Sequence, residues 1–453
     1  MSAPASRYSA TRKRRARARR ACVLASWLCW SVSPLAIATD SPTSVPAAAT
    51  TAQVEQGRYL VAAGDCISCH TRQGGAAFAG GRALTSPFGT IYSANITPDA
   101  DTGIGRWSEQ QFVRALRAGI AADGRHLYPA FPYPSYTLVT DGDARAMYAY
   151  LRTVKAVRYV APQNAMTFPF GIRGLLAGWN AVFVQQGPYV ADASRSAEWN
   201  RGAYLTLGLG HCGACHTPRN PLGGESSSKA LTGGVLLEEI NDEVIEDKIT
   251  PLDEPIVRQW SAANLTPATS GLGAWSLDEI AAYLKTGHNA RAGAFGPMAE
   301  VVTNSTSHMT DADLRAIAVY LKSLAPAPQE PASEASRDQL KLGEIVYGTR
   351  CGDCHLPTGL GMPRQGAADP SKTAPPLAGN AALQSPDPAT LINVVLYGAH
   401  ETQPGGTAWP KMSGFELSVG LDDDQIAALC TYVRGSWGNH AGPVSAGAVA
   451  KQH

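Results

Sequence analysis

Three stretches of the chain share one pattern of reactive side chains: two cysteines three apart, with a histidine directly after the second. They are Cys66, Cys69 and His70 in DCISCHTRQGG, Cys212, Cys215 and His216 in HCGACHTPRN, and Cys351, Cys354 and His355 in RCGDCHLPTG. Three chemistries compete for such a pattern. Disulfides give no role to a histidine fixed after the second cysteine. Structural zinc needs four ligands, usually from two paired knuckles, and each motif supplies at most three with no obvious fourth nearby. Covalent haem c uses every group: the two thiols form thioethers to the vinyl groups, and the adjoining imidazole becomes the proximal iron ligand. The three copies take up six of the seven cysteines that follow residue 38, so chance does not explain them. Three covalently bound haem c groups are therefore expected. The seventh, Cys430 in QIAALCTYVRG, lies on an apolar helical face and reads as a small buried hydrophobe rather than a reactive thiol.

The elements that position these residues recur with them. Upstream of each motif comes a short helix with a glycine and an aromatic residue, GRYLVAAGDC, GAYLTLGLGHC and GEIVYGTRC. Before each unit ends comes a capped helix closing on tyrosine: TDGDARAMYAYLRTV, MTDADLRAIAVYLKSL and LDDDQIAALCTYVRGSW. Thr or Asp at the start is good N-cap chemistry, and the apolar residues fall at i, i+3, i+4 spacing. Gly57, Gly202 and Gly343 would let the first helix pack closely on the helix bearing Tyr150, Tyr320 or Tyr432, with the haem loop held between them. The units run over 50–157, 198–325 and 336–437, with a connecting segment at 158–197, a Pro/Ala linker at 326–335 and a tail at 438–453. No segment reads as alternating strand over any length, so the fold class expected is mainly α with extensive loops. Within the connection, FPFGIRGLLAGWNAVFVQQGPYV (168–190) carries a single charge, Arg173. It reads either as inter-domain packing or as a contact surface for a partner or the membrane interface.

Length and charge fit this organisation. At 453 residues the chain suits about three domains of ~100–150 residues. Residues 1–38, with RKRRARARR ahead of an apolar run and Ala36-Ile37-Ala38, read as a secretory signal peptide, a retained N-terminal anchor being the alternative. Eight of the 38 basic residues fall there and none of the 37 acidic ones, so the remainder carries 30 against 37, or −7. A mildly acidic exported protein gives no reason to expect nucleic-acid binding.

With these motifs in view, the chain resembles the class I cytochrome c fold, as three tandem domains. More narrowly it is similar to the three-haem cytochrome c subunits of bacterial membrane-bound dehydrogenases (the alcohol, gluconate and sorbitol dehydrogenase type, with relatives partnering molybdenum aldehyde or isoquinoline oxidoreductases). The pieces that carry the resemblance are NITPDADTGIGRWSEQQFVRALRAGI, DGRHLYPAFPYPSY, NLTPATSGLGAWSLDEIAAYLKTG, GPMAEVV and the WGNH that ends the third unit.

A haem that only carries electrons usually has its far side closed by methionine sulfur, which favours ferrous iron. In the second unit Met298 of FGPMAEVV matches the family's ligand position, with Met309 beside the helix cap as the runner-up. In the third, WPKMSGFE offers Met412. The first unit has Phe131 in LYPAFPYP where the family has methionine, and Phe131 to Asp143 is the same spacing as Met412 to Asp424. Phenylalanine cannot ligate iron. His126, Met147 or Met166 could step in, or water could bind, or the iron could stay five-coordinate. A structural or propionate hydrogen bond is the role favoured for His126. The first haem is expected to lack a methionine ligand, to be wholly or partly high-spin, and to have a lower potential than the others.

The resemblance implies an electron-transfer subunit. It would carry electrons from a GMC-type flavoprotein or molybdenum-containing dehydrogenase subunit to membrane quinone or a terminal oxidase, at the periplasmic face of the cytoplasmic membrane. No dinucleotide fingerprint or hydrolytic constellation is present, so no catalytic residues are assigned and substrate chemistry is expected on another chain. Two alternatives remain: a haem enzyme with peroxidase-like chemistry at the first haem, using His126 as distal acid/base, and a free-standing multihaem shuttle.

Overall fold

Each Cys-x-x-Cys-His motif sits between two crossing helices, and the crossing is the same three times. The computed structural model of the chain describes residues 49–245, 248–328, 331–362, 373–399, 409–410, 412–414 and 420–453, without the side chains of 241–254. The leader expected over 1–38 lies outside the described residues. In the first repeat the opening helix Thr51–Ala63 leads to the one-turn helix Cys66–His70, and the closing helix is Asp141–Leu151. In the second, Ala197–Ala203 continues as a π-helix over Tyr204–Leu209, followed by Gly213–His216 and closed by Asp311–Lys322. In the third the corresponding helices are Arg337–Arg350, Gly352–His355 and Asp423–Gly435. Thr140, Thr310 and Asp422 cap the closing helices, each side chain accepting a backbone N–H three residues on.

The crossings explain the three glycines. A Cβ at Gly57 would stand 1.9 Å from the Ala146 carbonyl oxygen, one at Gly202 1.9 Å from that of Ala316, and one at Gly343 2.1 Å from that of Ala428. The Cβ atoms of Tyr150, Tyr320 and Tyr432 lie next, at 2.8, 2.9 and 2.7 Å. Backbone rests on backbone, which only a residue without a side chain allows. The crossings also set the register between repeats. Asp143 and Asp313, each three residues before the crossing alanine, correspond to Gln425, so the spacing that paired Asp143 with Asp424 is one residue out.

One continuous core serves the first two repeats, running from Leu60, Phe112 and Met147 to Leu205, Leu314 and Leu321. The third repeat has its own, built on Val346, Tyr347, Ile392, Leu396, Ile426 and Cys430. Cys430 is fully buried, as its helical face implied. The segment 438–453, expected to be a tail, belongs to this second core: Asn439, Val444 and Val449 are buried, and Asn439 bonds the carbonyls of Leu377 and Val433.

The expectation of no extended strand is overturned by a long antiparallel hairpin, Gly234–Ile245 with Lys248–Ala262. It touches all three repeats. Thr85 of the first donates to Glu239, and Ser261 exchanges hydrogen bonds with Thr390 of the third. Shorter strands, Ala83–Ser86, Gly89–Tyr92 and Ala165–Met166, form a three-stranded sheet beside the first motif.

The apolar stretch 168–190 is seated on the first repeat yet largely exposed. Tyr128 donates to the Phe170 carbonyl and Tyr133 to the Asn180 side chain. None of the helix Leu175–Phe183 is buried, and Phe168 and Val182 are 88% and 74% exposed. Among the described residues no helix is long and apolar enough to cross a membrane.

Candidate haem sites

Spacing of i, i+3, i+4 puts Cys66, Cys69 and His70 on one side of their helix turn. The same spacing holds for the other two motifs, whose first cysteines, Cys212 and Cys351, are the N-cap residues of their one-turn helices. All six cysteines are unpaired and half-buried. Burial pushes the thiols of Cys66, Cys69, Cys212 and Cys351 up to about 12, so they are neutral rather than activated thiolates. Among the described residues no group of three or more His, Cys, Asp or Glu side chains is disposed to hold a metal ion by itself. The donor set fits a group attached through two sulfurs and ligated by one imidazole.

The three histidines are prepared identically. His70 Nδ1 lies 2.6 Å from the Ala94 carbonyl oxygen, His216 Nδ1 2.7 Å from that of Ala263, and His355 Nδ1 3.0 Å from that of Pro375. A carbonyl can only accept, so Nδ1 carries the proton and Nε2 keeps its lone pair. Burial lowers the pKa of each ring, against the backbone hydrogen bond that raises it, so each is neutral near pH 7. A neutral imidazole with Nε2 free and Nδ1–H fixed on a carbonyl is the form that ligates a metal.

These carbonyl partners were not singled out from sequence. Two of them sit in a repeated loop, Ala94-Asn95-Ile96-Thr97 and Ala263-Asn264-Leu265-Thr266. The asparagine side chain accepts from the threonine N–H and hydroxyl in both copies, at 2.7–2.9 Å, which locks the turn presenting the carbonyl. The repeated A-N-(I/L)-T-P was the available signal. In the third repeat Asn439 of WGNH fixes the neighbouring loop instead, accepting from the Gly379 N–H and the Gln384 amide.

Near the His70 ring stands Phe131. Its ring centroid is 6.5 Å from that of His70, with the planes at 81°. A group ligated by His70 would have this phenyl ring, rather than a ligating side chain, within reach. Tyr136 flanks Phe131 at 5.4 Å, and Tyr133 at 6.5 Å. The alternative donors are engaged elsewhere. Met147 is fully buried in the core, and Met166 sits in a strand opposite Gly89. The ring of His126 faces Asn180, with Nδ1 3.5 Å from the amide nitrogen, and its carbonyl accepts from Arg173. Met298 lies in the first turn of the helix Pro297–Asn304, half-buried against Ala294, Ala299 and Val302, while Met309 is buried in the main core. Met412 is half-buried in a short strand opposite Ala399.

The first two motifs abut. His211, the residue before Cys212, packs edge-on against Tyr136 at 5.4 Å, and its Nε2 is 3.4 Å from the carbonyl of Gly64, two residues before Cys66. Tyr136 donates to that same carbonyl at 2.8 Å. Asp65 and His211, the residues just ahead of each first cysteine, both take positive φ (50° and 37°), turning the chain from the opening helix into the motif.

Comparison with known proteins agrees with this donor set. A cytochrome c family model matches residues 54–155 and 340–437, which defines the class of the first and third repeats. Over 390 residues the chain is 45% identical to a nicotinate dehydrogenase subunit of Pseudomonas putida, covering 84% of this chain but about 30% of that relative's length. It is 37% identical to the fructose dehydrogenase cytochrome subunit of Gluconobacter japonicus, over 89% of this chain and 83% of the relative. It is 39% identical to the gluconate 2-dehydrogenase cytochrome c subunit of Pantoea cypripedii, over 87% of each. The chain belongs to the family of cytochrome c subunits of dehydrogenase complexes.

Proposed function

We propose that the chain is a three-haem electron-transfer subunit, with cytochrome c domains at 50–157, 198–325 and 336–437. It would serve a flavin- or molybdenum-containing dehydrogenase and pass electrons to membrane quinone or a terminal oxidase. The observation that carries this reading is the threefold repetition of a neutral histidine, oriented by a backbone carbonyl, directly after a pair of half-buried cysteines. The second repeat lies outside the matched family segments, yet has the same glycine crossing and the same histidine geometry, which supports counting it as a third haem domain.

In this reading Cys66, Cys69, Cys212, Cys215, Cys351 and Cys354 anchor the groups, and His70, His216 and His355 are the proximal ligands. Met298 and Met412 would supply a second iron ligand in the second and third repeats, and Phe131, beside His70, would supply none in the first. When bound, the haems supply reversible one-electron iron chemistry. The chain holds each imidazole in one tautomer and brings the first two motifs into contact through His211, Tyr136 and Gly64. The relatives' names, cytochrome subunits of fructose and gluconate dehydrogenases, support a separate catalytic partner. The exposed apolar residues of 168–190 support work at the periplasmic face of the membrane.

The test is affinity purification of the tagged chain from its native membranes in mild detergent, with mass spectrometry of the eluate. The reading predicts three haems per chain and a stoichiometric flavoprotein or molybdenum subunit. A lone chain, or two haems, would overturn it.

A further inference from the structure

The hairpin of the second repeat carries a cation into the third, and one edge of that cation has no hydrogen-bond partner among the described residues. Arg258 lies on the strand Lys248–Ala262, and its guanidinium stacks over the ring of Tyr397 at 3.6 Å. Tyr397 ends the helix Ala389–Tyr397, and the next two residues, Gly398 and Ala399, pair with Ser413 and Met412. The strand is pinned at this place by neighbouring contacts. Gln259 donates to Asp387 at 2.7 Å, Asn393 to the Gln259 carbonyl at 2.7 Å, and Thr390 to the Ser261 carbonyl at 2.9 Å. The position of Arg258 is thus built rather than incidental.

Two atoms of this guanidinium, Nε and Nη2, are buried with no hydrogen-bond partner among the described residues. They form one edge of the guanidinium, with both N–H bonds pointing the same way. Arg201 shows what that edge binds: its Nε and Nη2 grip the two carboxylate oxygens of Asp313 at 2.8 and 2.7 Å. Glu238, directly across the hairpin from Arg258, is engaged elsewhere, accepting from Trp260 at 2.8 Å and pairing with Arg82 at 3.6 Å. An unpaired buried guanidinium fork is costly, and its complement is a planar two-oxygen anion. Three residues ahead of Met412, the buried indole N–H of Trp409 likewise has no partner among the described residues.

We propose that Arg258 is the anchor for a propionate of the third haem, reaching it from the second repeat, with the Trp409 indole as a further donor to the same group's carboxylates. This rests on the three-haem reading above. The third haem carries the carboxylate that the fork lacks, and Met412, the ligand proposed for it, pairs with Ala399, two residues after Tyr397. A cation from one repeat then fixes the haem of the next. The charge keeps the propionate ionised and stabilises the reduced, less positive iron. Arg258 acts here as a positioning residue and an electrostatic one.

The test is a spectroelectrochemical titration of the full holoprotein as a function of pH, with Arg258→Gln and Arg258→Lys beside the wild type. Met412→His identifies the third-haem wave by shifting it alone. In the wild type the third-haem potential is expected to stay flat across neutral pH. In Arg258→Gln it should fall and rise again towards low pH, as the freed propionate takes up a proton on reduction, while the other two waves stay in place. Arg258→Lys, which keeps the charge but not the fork, should lie between. Three haems with unchanged potential and pH slope in Arg258→Gln would overturn the inference, as would an equal shift of all three waves. A wild-type third-haem potential that already varies steeply with neutral pH would overturn it without any variant. A wild-type chain with two haems would instead remove the three-haem reading on which the inference rests.

Discussion

Phe131 decides what the first haem can do. Its ring centroid stands 6.5 Å from that of His70, on which the proposed haem would be ligated, and neither Met147, deep in the core, nor Met166, in a strand, is free to supply a thioether there. The expected outcome is one high-spin haem among three in electron paramagnetic resonance and absorption spectra. Phe131→Met should convert it to low spin and raise its potential, and a wild type with three low-spin haems would contradict this. A second residue sets a pH dependence. Burial, partly opposed by a hydrogen bond from Ser68, raises the pKa of Asp65 from 3.8 to about 8. Between those values the folded chain holds a proton that the unfolded chain has lost, so stability declines as pH rises through that window and levels off above about 8. Asp65→Asn, which tolerates the same positive φ, should flatten the decline in denaturant titrations across pH. At this scale the cysteines and histidines were legible because covalent attachment fixes both residue type and spacing. Their carbonyl partners at Ala94, Ala263 and Pro375 were not, because any residue supplies a carbonyl.

Helices and strands differ in how plainly the sequence announced them. The opening and closing helices were legible from caps and apolar spacing, and the crossings at Gly57, Gly202 and Gly343 followed from glycine and tyrosine recurring in step. The hairpin was not. Pro251 and Pro255 interrupt its second strand, and Glu238, Glu239, Asp242 and Glu243 break up the first, so no alternation stood out. Nor was the packed C-terminal stretch, where Val444 and Val449 enter the core without any helical period around them. The glycine crossings give a direct test. Gly202→Ala would put a methyl 1.9 Å from a carbonyl oxygen and force the helices apart, costing about 2–3 kcal/mol. Chemical denaturation should show that loss. The control is Gly348→Ala in the opening helix of the third repeat, where a Cβ would meet nothing within 4 Å, and it should cost nothing.

Across the whole molecule the first two repeats are tied reciprocally. Tyr59 of the first donates to Asp313 of the second at 2.5 Å, and Tyr204 of the second donates to Asp143 of the first at 2.5 Å. The third repeat has Ile345 at the tyrosine position, 55% exposed, and is joined through the hairpin instead. Each hydrogen bond to a carboxylate is worth about 1.5–3 kcal/mol. Tyr59→Phe and Tyr204→Phe should each lower stability by that amount in unfolding experiments, with three haems retained, and an unchanged midpoint would show the ties to be idle. Sequence reading found the repeats, with an aromatic in each opening helix, but not this pairing, because nothing in the sequence says that a hydroxyl will meet the capped end of the other repeat's closing helix. The central claim is that substrate chemistry lies on another chain and this one conducts. Its most direct test is to follow the absorption of the c-type haems anaerobically when alcohols, sugars, sugar acids and aldehydes are added, first to the complex purified from native membranes and then to the isolated chain. The account predicts that one substrate class rapidly reduces the haems of the complex and leaves the isolated chain oxidised. An isolated chain that is reduced by substrate, or that turns over peroxide at its first haem with a rate abolished by His126→Ala, would contradict it.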